Sequence, residues 1–116
     1  MEHRELVDMI LQILEQKKAD RIEEISVTQK TTLADTFVVC SGSSTTQVHS
    51  LADELQYQIG QKAGIKPQRV EGQESNKWLL LDYGSVIVHI FNQDERDFYD
   101  LDNMWHDLQI QEDIVK

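Results

Sequence analysis

Only one segment of the chain has residue types and spacing that could support chemistry. Cys40-Ser41-Gly42-Ser43-Ser44 follows an apolar run and precedes a helical pattern. Free backbone amides at a helix N-terminus can hold an anion, so this turn could bind a phosphate group. It lacks the Gly-Lys-Ser/Thr ending of a P-loop and the glycine fingerprint of a dinucleotide site. We interpret it as a turn with Ser44 as the N-cap, and a nucleotide- or phosphate-binding enzyme stays open as the alternative.

Other arrangements argue against an enzyme or a metalloprotein. Asp100 and Asp102 lie two residues apart on a predicted helix, so they point about 200° apart and cannot grip one ion. No serine sits in a Gly-x-Ser-x-Gly elbow. No histidine is paired at metal-ligand spacing with another histidine or with a cysteine; the four are His3, His49, His89 and His106. The sequence therefore predicts no catalytic residue, no metal and no cofactor.

The composition restricts the class of protein and its partners. A chain of 116 residues is long enough for one domain with a buried core and too short for a second. Acidic residues outnumber basic ones by 21 to 11, which gives a net charge of -10. Binding through nucleic-acid phosphates needs a basic surface. We therefore expect little direct nucleic-acid binding and instead a basic protein partner.

The lone cysteine and the hydropathy pattern indicate the cellular compartment in which the protein works. Cys40 cannot form an internal disulfide and lies in an apolar run, as expected of a buried thiol in a reducing compartment. No apolar run approaches the ~20 residues that span a bilayer, and no secretory signal pattern is visible. We expect a cytoplasmic protein with no membrane interaction.

The elements that position these residues follow from hydrophobic periodicity. Two amphipathic helices are predicted over 2–18 and from Ser44 to Gly64, and a third begins at Asn92 or Asp94. Five strands are predicted over 22–28, 36–40, 68–71, 78–83 and 86–91, with the last two forming a hairpin. This order predicts an α/β fold with a mixed sheet of about five strands flanked by helices. We predict one α/β domain over residues 1–108 and a C-terminal tail over residues 109–116.

Three aromatic residues stand where full burial is difficult. Trp78 opens a strand beside a polar loop, Tyr83 adjoins the hairpin turn, and Tyr99 lies off the apolar side of the last helix. Large rings in such places are typical anchors of protein interfaces, although they can also only cover the edge of a core. His89 shares a strand face with Ile87 and Phe91, so we expect a hydrogen-bonded core histidine.

Much of the chain resembles the ribosomal silencing factor family, also called the Iojap family. The resemblance is most specific between Trp78 and Trp105. Its residues are Asp35 to Ser44, Ala52-Asp53-Glu54, Val70-Glu71-Gly72, Trp78, Leu81 to Gly84, Val86 to Phe91, Arg96 and Tyr99 to Trp105. Two positions depart from the family pattern: Ser85 stands where Asp is usual, and Met104 stands where Leu is usual.

The resemblance implies both a fold and a function. The fold would be a nucleotidyltransferase-like core without catalytic acids. The function would be to bind ribosomal protein fourteen of the large ribosomal subunit, block joining of the two subunits and repress translation under nutrient limitation. Apart from the resemblance, exposed aromatic residues could pair two copies of the chain, so a self-associating module that forms a homodimer stays open as a further alternative. The partner-binding residues that the resemblance implies are Trp78, Asp82, Tyr83, Tyr99 and Leu101.

Overall fold

The computed structural model describes residues 2–27, 34–74 and 77–94. Within these ranges the elements follow the order helix, two strands, helix, three strands. They are α1 (His3–Gln16), β1 (Asp20–Ser26), β2 (Thr36–Gly42), α2 (Thr45–Ala63), β3 (Arg69–Glu71), β4 (Trp78–Asp82) and β5 (Val86–Asn92). The third predicted helix and the predicted tail lie outside the described residues, apart from the first positions of that helix.

Helix α1 forms because apolar residues recur every three or four positions along 3–16. Its buried side chains are Leu6, Val7, Ile10, Ile13 and Leu14. The helix ends two residues earlier than predicted. Lys17 is its C-cap, and Lys18 has a positive φ of 61°, which takes the chain out of the helix.

Helix α2 has the boundaries that its capping residues predict. The Ser44 hydroxyl accepts the N–H of Gln47 at 3.1 Å, and Gly64 ends the helix in the left-handed conformation at φ 66°. A left-handed residue at this point favours glycine, because a Cβ would add strain. The predicted apolar residues are all buried; they are Val48, Leu51, Ala52, Leu55 and Ile59.

The sheet has five strands in the order β1-β2-β5-β4-β3. Strands β2 and β5 pair in parallel, and the other neighbours are antiparallel. The predicted hairpin of β4 and β5 is confirmed, as are the buried position of β2 and the edge position of β1. Strand β2 continues through Ser41 and Gly42, although the sequence predicts that both belong to the following turn. Both residues pair with β5 and are buried, so strand pairing extends beyond the apolar run.

The sheet has two faces of different composition, because alternate residues of a strand point to opposite sides. What we call the helical face packs against α1 and α2; it carries Val38, Cys40, Leu79, Leu81, Val88 and Ile90. What we call the aromatic face carries Phe37, Val39, Trp78, Leu80, His89 and Phe91. Among the described residues, both helices contribute to the first cluster and neither contributes to the second.

Candidate functional site

An aromatic cluster on the aromatic face surrounds the side chain of Trp78. The Trp78 ring stacks on Phe91 with centroids 4.9 Å apart and planes 25° from parallel. The His89 ring lies 5.9 Å from Trp78 and 4.6 Å from Phe37. We name these four residues (Phe37, Trp78, His89 and Phe91) the ring cluster. Phe91 is fully buried, whereas Trp78 is only half-buried, so Trp78 is the ring that other molecules can reach.

His89 is the polar centre of the ring cluster. Its side chain is 4% exposed, and its Nδ1 accepts the indole N–H of Trp78 at 3.1 Å. Because the indole can only donate, the proton of the neutral imidazole lies on Nε2. Burial lowers the pKa of His89 to about 4, which keeps the ring neutral at physiological pH. This confirms the expected hydrogen-bonded core histidine, although Nε2 has no partner among the described residues.

Asp82 lies on the same face as Trp78, at the other end of β4. One carboxylate oxygen accepts the N–H of Gly84 at 2.8 Å, and the other lies 3.6 Å from the Arg69 guanidinium. The side chain is 17% exposed. Asp82 thus holds the hairpin turn and the edge strand in place, while part of its carboxylate stays accessible.

A groove runs along the edge of the sheet beside Trp78. It has a volume of about 280 Å³ and is lined by Glu71, Gly72, Trp78 and Leu80. Gly72 has a φ of 86°, and a Cβ at this position would collide with the carbonyl oxygen of Trp78. A glycine is therefore required where the chain leaves β3. The groove offers two apolar side chains and one carboxylate, a surface suited to an apolar contact beside a basic group.

Tyr83 does not lie with Trp78 and Asp82, contrary to the expectation that its ring is accessible. It is 7% exposed and packs in the cluster that contains both helices. The cause is strand alternation, since Tyr83 follows Asp82 directly and points to the opposite side of the sheet. Burial raises the pKa of the phenol to about 12, and its hydroxyl has no partner within the described ranges. Tyr83 is thus a core residue in this structure.

The remaining predicted site residues, Tyr99 and Leu101, lie outside the described residues. The chain leading to them is described as far as Asp94. Asn92 accepts the N–H of Asp94 on its side-chain oxygen at 3.2 Å, the contact expected of a helix N-cap.

The turn before α2 forms its own hydrogen bonds, which bears on the phosphate alternative. The Gln47 side-chain oxygen accepts both the backbone N–H and the hydroxyl of Ser43, and the Ser44 hydroxyl accepts the N–H of Gln47. Two amides that could hold an anion are thereby occupied. Across residues 2–27, 34–74 and 77–94, no three metal-ligating side chains converge. The geometry gives no support to a phosphate site here.

Sequence reasoning missed a bridge made by His3. Its Nδ1 lies 3.0 Å from the Ser85 hydroxyl, and its Nε2 lies 2.9 Å from the Thr36 hydroxyl. The bridge ties the start of α1 to the hairpin turn and to β2. Residues 82 positions apart in sequence meet in it, so no local pattern could have revealed it. It also shows that Ser85, one of the two departures from the family pattern, has an internal contact.

Comparison with known proteins then identifies the family. The family model described as "ribosomal silencing factor during starvation" matches residues 1–116. The chain belongs to the ribosomal silencing factor family. A ribosomal silencing factor of Halalkalibacterium halodurans is 36% identical over 107 residues, which cover 92% of this chain and 91% of the relative. That of Bacillus subtilis is 31% identical, over 95% of this chain and 92% of the relative.

Solved structures of similar sequence share the fold of this chain. A crystal structure of a Chromobacterium violaceum protein is 34% identical and superimposes with a TM-score of 0.85, over 91% of this chain and 88% of that one. A Bacillus halodurans protein gives 35% identity and a TM-score of 0.78, over 89% and 95%. The predicted α/β fold, a five-stranded mixed sheet flanked by helices, is thereby confirmed, whereas the likeness to a nucleotidyltransferase core stays a prediction.

No described helix is long and apolar enough to cross a membrane.

Proposed function

We propose that this protein binds ribosomal protein fourteen of the large ribosomal subunit and blocks joining of the small subunit. It would thereby repress translation when nutrients are limiting, as a non-enzymatic factor in the cytoplasm. The observation that carries the proposal is the family match, which spans residues 1–116. Membership in this family already supports translation regulation and association with ribosomes, and the proposal adds the protein that is contacted and the step that is blocked.

The proposed contact surface is the open part of the aromatic face. Trp78 is half-buried there, and Asp82 lies on the same side of β4. Leu80 lies between them, is also half-buried, and lines the groove with Trp78. Tryptophan is among the residue types most enriched in interface hot spots, and Trp78 is partly exposed here. We propose that Tyr99 and Leu101 extend the surface, and we leave Tyr83 out because it is buried.

Charge supports a basic partner for this surface. The chain carries a net charge of -10. Beside the proposed anchors, the carboxylates of Glu71 and Asp82 share one cation, the Arg69 guanidinium, which lies 3.6 Å from each. An acidic surface accelerates encounter with a basic protein, and a desolvated aromatic anchor slows dissociation. Proteins that coat ribosomal RNA are mostly basic, so both contributions favour a ribosomal protein over naked RNA.

Substitution of Trp78 tests the proposed contact. Trp78→Ala should weaken binding to purified large subunits by roughly 2–4 kcal/mol, the range for a central aromatic anchor. Co-sedimentation at increasing protein concentration measures the affinity, and a subunit-joining assay measures the block. Both quantities should fall together.

Tyr57→Ala is the matched control, because Tyr57 is an aromatic residue of α2 that is 64% exposed. It should leave binding and the block unchanged. If folded Trp78→Ala protein binds large subunits as tightly as the parent, the proposed contact is wrong. Pull-down of isolated ribosomal protein fourteen by the parent protein tests the identity of the partner directly.

A further inference from the structure

We propose that His89 is a positioning residue for partner binding: its Nδ1 holds the indole N–H of Trp78, so that Trp78 presents only carbon surface to the partner. This inference rests on the proposed function, since it assigns a role relative to Trp78 as the anchor. His89 does not touch the partner in this account, because its side chain is 4% exposed.

The first support is that the Trp78 ring is only half-buried. Trp78 opens β4, and within the described residues the edge strand β3 pairs with Leu80, Leu81 and Asp82. The groove beside the ring is lined on one side by Gly72, which has no side chain. Packing encloses a half-buried ring only in part. Specific contacts must therefore select its orientation.

The second support is that two contacts from β5 act on this ring. Phe91 stacks against it at 4.9 Å, which sets the plane of the indole. His89 accepts its N–H at 3.1 Å, which sets the direction within that plane. Stacking alone would allow the indole to flip over, whereas the hydrogen bond requires the N–H edge of the indole to face His89. Together, the stacking and the hydrogen bond select one orientation of the ring.

The third support is the chemistry of the acceptor. A phenylalanine or leucine at position 89 would bring no unpaired ring N–H into this buried site, whereas His89 carries an Nε2 without a partner in the described part of the chain. A buried donor without an acceptor is destabilising. A destabilising polar group in an otherwise apolar cluster indicates that the residue has a role other than packing. The Trp78 hydrogen bond is that role.

The orientation has a consequence for the partner. Because the indole N–H is already bound internally, an acceptor on the partner gains nothing at this position. The partner must meet Trp78 with apolar atoms, beside the carboxylate of Glu71 at the groove. A well-positioned anchor also binds more tightly, because less side-chain freedom is lost on association.

Three variants of the full chain test this role. His89→Phe keeps a ring but removes the acceptor. His89→Asn keeps an acceptor, because the Asn Oδ1 is bonded to Cγ as the histidine Nδ1 is. Val88→Ala is the control for lost stability, because Val88 is fully buried on the helical face and its side chain points away from Trp78.

Two measurements separate positioning from a purely structural role. The first is hydrogen exchange of the Trp78 indole N–H in ¹⁵N-labelled protein, with the resonance assigned from a Trp78→Phe sample because Trp105 also contributes one. The second is the affinity for purified large subunits. His89→Phe should speed indole exchange and weaken binding by up to about tenfold, the equivalent of one net hydrogen bond. His89→Asn should restore part of both, and Val88→Ala should change neither.

The outcomes distinguish this inference from the proposed function. Unchanged affinity in His89→Phe, or equal losses in His89→Phe and Val88→Ala, would overturn the positioning role alone. Unchanged affinity in Trp78→Ala would overturn the contact and the positioning role together. Should His89→Phe fail to fold, His89→Gln takes its place in the comparison with His89→Asn. The Gln amide lies one bond further from the backbone than the histidine Nδ1, so its oxygen does not take the Nδ1 position.

Discussion

The two faces of the sheet are built from the same strands but differ in the residue types that they carry. On the helical face, Leu79, Leu81, Val88 and Ile90 are aliphatic and fully enclosed by α1 and α2. On the aromatic face, the alternate residues of the same strands include Trp78, Leu80, Asp82 and His89. There, rings, a carboxylate and an imidazole stand among aliphatic side chains such as Leu80 and Ile87. Under the proposed function, a single β-hairpin would serve stability with one set of positions and recognition with the other.

This division explains why neighbouring residues in sequence have unrelated roles. Asp82 and Tyr83 are adjacent, yet Asp82 lies on the aromatic face and Tyr83 packs under the helices. The difference between the faces implies that substitutions one residue apart should act on different quantities. Those on the helical face should lower the free energy of unfolding, and those on the aromatic face should chiefly lower affinity for the partner.

The largest expected effect separates the faces directly. Ile90→Ala removes a fully buried side chain from the helical face and should lower the free energy of unfolding by roughly 2–5 kcal/mol. Its affinity for large subunits should stay at the parent value wherever the protein is folded. Urea denaturation and co-sedimentation measure the two quantities. Leu80→Ala is the comparison, because Leu80 is half-buried on the aromatic face: it should lose less stability and more affinity.

An intermediate effect concerns the pH dependence of the aromatic face. The pKa of His89 is about 4 in the folded protein, against 6.5 for an exposed histidine. Between these values the unfolded chain binds a proton that the folded chain does not. Stability from this group is therefore complete above about pH 6.5 and is lost as the pH falls toward 4, by on the order of 2–3 kcal/mol.

Urea midpoints measured between pH 7 and pH 5 test this dependence. Val88→Ala should be less stable at every pH but should keep the acid slope of the parent. His89→Asn should lose part of that slope. An unchanged slope in His89→Asn would mean that a different group causes the acid sensitivity.

The smallest expected effect sharpens the assignment of Tyr83 to the helical face. Tyr83→Phe keeps the buried ring and removes a hydroxyl without a partner among the described residues. The free energy of unfolding should stay the same or rise by up to about 1 kcal/mol. Affinity for large subunits should not change. A loss of affinity comparable to that of Trp78→Ala would show that the phenol reaches the partner, and the division between the faces would then fail at this position.

Most of the fold could be predicted because its determinants are local. The apolar residues of α2, its cap at Ser44 and its end at Gly64 follow from spacing and from the left-handed preference of glycine. The hairpin of β4 and β5 follows from two apolar runs separated by a short turn. The extension of β2 through Gly42 could not be predicted in this way, because it depends on pairing with β5, which is distant in sequence.

The candidate site could be predicted only in part. Residue type and position pointed to Trp78, the family resemblance added Asp82, and the structure places both on one face. The same reasoning selected Tyr83, where position beside a turn was a poorer guide than strand alternation. The hydrogen bond between Trp78 and His89 joins two strands at a register that the sequence does not specify. The same holds for the bridge from His3 to Ser85 and Thr36.

The sequence by itself determined the elements, the acidic charge and the family, since periodicity, caps, composition and motif residues can all be read along one chain. Only the tertiary structure decided which face of the sheet each aromatic ring occupies and which polar group holds it. The reason is physical: a side chain's environment depends on the strands and helices that pack around it. Those neighbours come from distant parts of the sequence.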